Sequence, residues 1–267
     1  MKRSNAPVVW LSVALILGVM GFRGYMAYQK EVKKNKQILD EFQKTTKKFK
    51  EDNIRLLKED KGGKLGPDYA RRINILRKTA RKLPGDSKTI LLTFANVLQK
   101  QYDIALHYDK AAADFEKLGG VDLGTVKELK NLKARSKVAK DWLKHTTKLR
   151  QLALAYTKEV ITALKKAGMG KAIQDRVKVS LGRRKAQFTI QHNIRKADQE
   201  LIRVMSVILE WAVTKWGTWK LDPKDKLLVF SGKADQAKYN QWVGQIDVLI
   251  KQQKGYQKQL IKILQGR

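Results

Sequence analysis

Six lysines recur at steps of three and four: Lys130, Lys133, Lys137, Lys140, Lys144 and Lys148. A lysine head group at neutral pH is a compact, strongly hydrated cation. Spaced this way, it points to the holding of anions rather than to bond-making. On a helix the six fall within about 80° of one another and extend roughly 27 Å along the axis. Like charges four residues apart repel by a few tenths of a kcal/mol per pair, so helix stability does not select for them. The expected partner is an extended polyanion or an anionic membrane surface. The competing reading is a solvated face, neutralised in part by the acidic stretch 84–118, which holds four lysines against five acids.

A second basic patch is Arg183-Arg184-Lys185, with Lys171, Arg176 and Lys178 upstream. It lacks the interleaved aromatics on which exposed bases would stack. No helix-turn-helix, zinc-finger or RNA-binding pattern accompanies it. Nucleic acid is therefore a partner supported by charge alone.

Chemistry of other kinds finds little footing. His107, His145 and His192 stand on three different predicted helices, without metal-ligand spacing. Gly168-Met169-Gly170-Lys171 fails the phosphate-loop pattern, because Lys165 stands where its first glycine belongs and Ala172 follows the lysine. Carboxylates are scattered, with no pair to act as acid and base. The expectation is a protein that is no enzyme, with no catalytic residue, no metal ligand and no cofactor. Trp211, Trp216 and Trp219 form a cluster. It reads as core packing in preference to an interfacial belt, since Glu210 and Lys215 oppose insertion.

Composition sets the frame for these residues. The 267-residue chain carries 57 Lys and Arg against 25 Asp and Glu, a net charge of +32, with 43% hydrophobic residues and no cysteine. It can bury a core, and its field favours anionic partners. The absence of cysteine suits an oxidising compartment mildly.

The most specific stretch is the first. Ser4 to Phe22 bears no charge, and Val8, Trp10, Leu11, Leu15, Ile16, Leu17, Val19, Met20 and Phe22 supply its apolar mass. A helix of that length spans roughly the hydrocarbon core of a bilayer. Residues 1–29 are read as an uncleaved signal-anchor, a single transmembrane helix. A cleaved signal peptide is the alternative, but its cleavage site is poor. The layout favours a body outside the cytoplasmic membrane, although positive-inside logic taken literally places it inside.

Residues 30–60 continue as a juxtamembrane amphipathic helix. Leu39, Phe42, Thr46 and Phe49 lie on its seam, suited to packing on the body or to a parallel coiled coil. Residues 61–267 are expected to form a basic helical bundle. Breaks at 61–68, Pro84-Gly85, Leu118-Gly119-Gly120 and Gly168-Met169-Gly170 separate helices near 68–83, 87–118, 126–167, 171–218, with an irregularity near Gly182, and 235–264. Thr125 is the expected cap of the third. Residues 217–230 form a connection of undecided conformation. The run from Pro84 to Ala111 resembles a tetratricopeptide repeat, but it lacks the turn between the repeat's two helices and has no second copy, so no peptide-binding role follows.

The fold class is thus all-α: an N-terminal transmembrane helix, then an elongated up-and-down bundle of long, coiled-coil-like helices. The function read from it is a membrane-anchored scaffold engaging an acidic lipid or polymer, with protein partners or a second copy met through helix faces. A membrane-attached nucleic-acid-binding protein and an exported helical protein are the alternatives.

Overall fold

The computed structural model describes residues 38, 40–48, 51, 54–55, 65–222 and 228–265. The expected anchor at 1–29 and most of the segment 30–60 lie outside them. Among the described residues no helix is long and apolar enough to cross a membrane.

The described chain is mostly helical, with bundle-like packing. Its helices are α1 (Leu65–Lys82), α2 (Gly85–Lys117), α3 (Leu129–Lys166), α4 (Lys171–Gly182), α5 (Lys185–Thr214) and α6 (Lys233–Gln265), with a 3₁₀ turn at Leu123–Thr125. Apolar residues at three-and-four spacing bury one stripe of each long helix. On α2 this stripe holds Leu91, Phe94, Leu98, Tyr108 and Phe115, and on α3 it holds Ala139, Trp142, Leu149, Tyr156 and Val160. The stretch 84–111 is one uninterrupted helix, apart from its first residue.

Two of the expected breaks are glycine-closed helix ends. Gly119 and Gly120 adopt φ of 95° and 62°, and the Gly120 amide donates to the Phe115 carbonyl at 2.9 Å. Gly168 (φ 76°) repeats the device, with the Met169 amide donating to the Leu164 carbonyl at 3.0 Å. Only glycine enters this left-handed region without a steric penalty, and the returning amides satisfy carbonyls that the helix leaves open.

Three expectations need correction. The helix expected over 171–218, with an irregularity near Gly182, is fully broken there into two helices, turning at Arg183 and Arg184 between α4 and α5. Gly182, a poor helix former, stands at the break, and Leu181 is buried beside it. Thr125 does not cap α3, which starts at Leu129; it lies in the 3₁₀ turn, whose Gly124 amide donates to the Asp122 carboxylate at 3.0 Å. And the body is not purely helical. Gly217 (φ 85°) follows the end of α5, and two strands come next, β1 (Trp219–Leu221) and β2 (Leu228–Phe230). They pair antiparallel, with Trp219 opposite Phe230, Lys220 opposite Val229 and Leu221 opposite Leu228. A ribbon this short is marginal alone. Phe230 is buried, and its ring lies 4.9 Å from Trp211 and 5.3 Å from Tyr239.

The chain divides into two compact units. Unit 1 takes the residues up to Leu106, Leu149–Ile194 and those from Tyr256 onward; unit 2 takes His107–Lys148 and Arg195–Gly255. Helices α2, α3, α5 and α6 each give residues to both. In unit 1, Ile194, Leu260 and Leu264 form a buried cluster, with Ile54 and Ile190 packed against it. Phe42 and Thr46, the described seam positions of the segment 30–60, are buried, and Glu41 pairs with Lys82 at 3.0 Å. That stretch therefore lies on the body, as an amphipathic helix with one apolar stripe would. In unit 2 the seam of α5 (Ala197, Leu201, Val204, Ile208) is buried, as expected, while Val207 turns outward at 36% exposure.

Candidate anion-binding surface

Unit 2 presents the lysine face. Lys130, Lys133, Lys137, Lys140, Lys144 and Lys148 are all exposed on α3. Burial of Leu132, Ala139 and Trp142 on the opposite stripe fixes which way they point. Lys140 pairs with Glu210 of α5 at 3.2 Å. The other five have no ion pair among the described residues. Partial neutralisation thus comes from α5, and the acidic stretch 84–118 makes no described ion pair with this face. Its Lys100 instead bridges Glu159 at 2.8 Å in unit 1.

Arg135 lies on the same helix and has the opposite fate. It is 2% exposed, and its guanidinium ties the loop after α2 to α3. Nη1 donates to the Asp122 carbonyl at 2.7 Å, Nη2 to Thr125 Oγ1 at 3.0 Å and Nε to Asn131 Oδ1 at 2.8 Å. Burial pulls its pKa down, against the pull of Asp122. A methyl at Gly119 would lie 2.7 Å from Arg135 Nη2, so this glycine is also required by close packing.

At one end of the face two histidines meet. His107 of α2 stacks on His145 of α3, with ring centroids 5.1 Å apart and planes 12° from parallel. His145 Nε2 lies 3.5 Å from Asp141. Burial lowers the His145 pKa; Asp141 opposes this, while His107, Lys148 and Lys144 reinforce it. A lowered value keeps the imidazole neutral at neutral pH. The sequence placed these residues on separate helices and held no sign of their convergence. No group of three or more His, Cys, Asp or Glu able to hold a metal occurs among the described residues.

Unit 2 also holds a buried polar layer. Arg195 and Asp198, three apart on α5, are 1% and 0% exposed and pair at 2.8 Å. Gln253 of α6 donates its amide to the other Asp198 oxygen. Burial raises the Asp198 pKa to about 6, although Arg195 and Gln253 both favour its ionised form. Tyr108 of α2 is also fully buried, and burial, with the Asp198 charge adding to it, drives its hydroxyl pKa far upward. Arg195 Nε and Nη2 have no partner among the described residues. Out of contact with solvent, this layer ties α5 to α6. A sequence signal for it existed: at 100° per residue Asp198 falls inside the arc marked by Ile194, Met205 and Ile202.

The second basic patch belongs to unit 1. Arg183 and Lys185 are exposed, whereas Arg184 is partly buried, with Nη1 unpaired among the described residues and a pKa lowered to about 10 by burial. Arg183 and Arg184 occupy the turn between α4 and α5 and Lys185 opens α5, so they form no continuous helix face. The tryptophans divide as well. Trp211 packs on Trp242 and Phe230, with ring centroids at 5.2 and 4.9 Å, while Trp216 is 37% exposed.

No family model matches the chain, and comparison with curated proteins and with solved structures finds no significant match.

Proposed function

We propose that this is a non-enzymatic, membrane-attached helical scaffold, held by the apolar segment 8–22, whose lysine face on α3 engages an anionic partner. One observation carries the reading: six exposed lysines share one face of one helix, and five of them lack an ion pair among the described residues. An uncompensated row of cations raises the local concentration of anions and steers them on approach. The buried layer supports the role indirectly, by fixing helices behind the face. Protein partners, or a second copy, would be met through other helix faces.

Replacing Lys130, Lys137, Lys144 and Lys148 by Gln in the full chain tests this. Each lysine near an anionic surface contributes about 1 kcal/mol, so affinity for anionic vesicles or polyphosphate should fall at least about a hundredfold. The salt dependence of binding should flatten, while thermal unfolding stays unchanged. Unaltered, still salt-sensitive binding would remove the lysine face from the mechanism.

A further inference from the structure

Three of the exposed large hydrophobic residues fall within one short stretch: Trp216 at 37%, Leu221 at 41% and Val229 at 40%. All belong to the ribbon or to the turn that leads into it. Trp216 packs edge-on against Trp219, with centroids 5.6 Å apart. The ribbon's inward pair, Trp219 and Phe230, anchors it to the aromatic cluster of unit 2, and its outward pair, Lys220 and Val229, is exposed. Lys220, Lys233 and Lys238 are exposed around it, while Lys215 is paired with Asp235 at 3.0 Å. The ribbon also adjoins the start of the lysine face. Leu221 packs on Gly124, where a methyl would lie 3.0 Å from Leu221 Cδ1, and Gly124 lies six residues before Lys130.

Tryptophan beside aliphatic side chains, ringed by lysines, matches the headgroup–acyl boundary: an apolar body with a polar N–H, and cations for phosphates. A soluble polyanion would use the lysines and leave Trp216 and Val229 in water. We infer that the β1–β2 ribbon, with Trp216, is a docking finger for an anionic lipid bilayer, seating apolar side chains at the interface while the α3 lysines lie against headgroups. This deepens the function proposed above and rests on it, because it names lipid as the source of the anion.

The chain has no cysteine, so a single reporter site is clean. Val229→Cys, carrying an environment-sensitive dye, is placed in the full chain with phosphatidylcholine vesicles, with or without phosphatidylglycerol. Gln252→Cys, exposed on α6, is the control. The dye at 229 should shift to the blue and resist aqueous quenchers only when phosphatidylglycerol is present, and the dye at 252 should not respond. Trp216→Ser should weaken that response about tenfold, as loss of a partly buried apolar contact does. Val229→Ser lies on the outward face and so leaves packing intact; in sedimentation with phosphatidylglycerol vesicles it should weaken binding by a smaller factor. Raised salt should cut the lysine contribution and spare the apolar one.

A dye at 229 that stays aqueous on anionic vesicles overturns the inference. If the lysine variants of the same chain still lose polyphosphate binding, the lysine-face reading survives without the ribbon. A shifted dye that ignores the lysine variants would instead retain the ribbon and remove the lysine face.

Discussion

Helix α3's lysine face and the Arg195–Asp198 layer both place charge on helices of unit 2, and they treat it in opposite ways. The lysines stay in water, mostly without carboxylate partners, at a cost of tenths of a kcal/mol per like-charged neighbour. Arg195 and Asp198 are taken out of water entirely, so each depends on the other. The difference is one of solvent, not of sign. Exposed charge is cheap to keep and free to meet a partner, whereas buried charge is costly to isolate and can only hold structure.

Breaking the buried pair from one side should have the largest effect. Asp198→Ala leaves the Arg195 cation without a counter-ion, and urea unfolding should show a loss of about 3–5 kcal/mol. Arg195→Met with Asp198→Leu should lie within about 1 kcal/mol of the parent, or above it, because two Arg195 nitrogens already lack partners among the described residues. A single variant no worse than the double would remove the contrast with the lysines.

The pH dependence comes next. The folded-state pKa of Asp198, about 6, lies above its ordinary value of 3.8. The folded state therefore holds the proton more tightly, and the stability from this group is fullest below the ordinary value. It declines as pH rises through the interval and is gone above the folded value, a loss of up to about 3 kcal/mol. Relative to Asp198→Asn, the parent should become less stable from about pH 4 to about pH 7 in denaturant titrations. Parallel curves for the two proteins would show that Asp198 ionises normally.

Arg135 sharpens the comparison from the middle, as a buried cation satisfied by carbonyls. Arg135→Ala should cost about 2 kcal/mol, and Arg135→Lys should rescue little, since an ammonium cannot reproduce the fork that reaches Asp122, Thr125 and Asn131. Full rescue by lysine would reduce its role to charge. Smallest of all is the exposed Lys140–Glu210 pair. Glu210→Gln should shift stability by less than about 1 kcal/mol while leaving six unpaired lysines, so anion affinity should rise slightly. A drop in affinity would show that the pair positions the face.

Much of this was legible in the chain. The steps of three and four on α2, α3 and α5 named the buried stripe, because a helix repeats its facing every 3.6 residues wherever it packs. Gly119, Gly120 and Gly168 marked helix ends through a backbone preference that needs no neighbour. The same logic set the six lysines on one outward face before any packing was known. The ribbon escaped notice because three-residue strands are too short to show alternation, and Trp219 and Phe230 are fixed by an aromatic cluster gathered from α5 and α6.

What the sequence by itself determined is the local part: the glycine turns that end helices, the apolar stripes and the cationic face on α3. Tertiary structure alone decided what the buried charges meet. Lys133 and Lys137 lie outward on α3 and Arg135 inward among Leu132, Ala139 and Trp142, but only the folded chain brings the loop after α2 to Arg135 with its carbonyl acceptors. It alone stacked His107 on His145 and set Gln253 beside Asp198, across 55 residues of chain. Such pairings depend on which helices become neighbours, and periodicity along a chain fixes a side chain's direction without fixing what it meets.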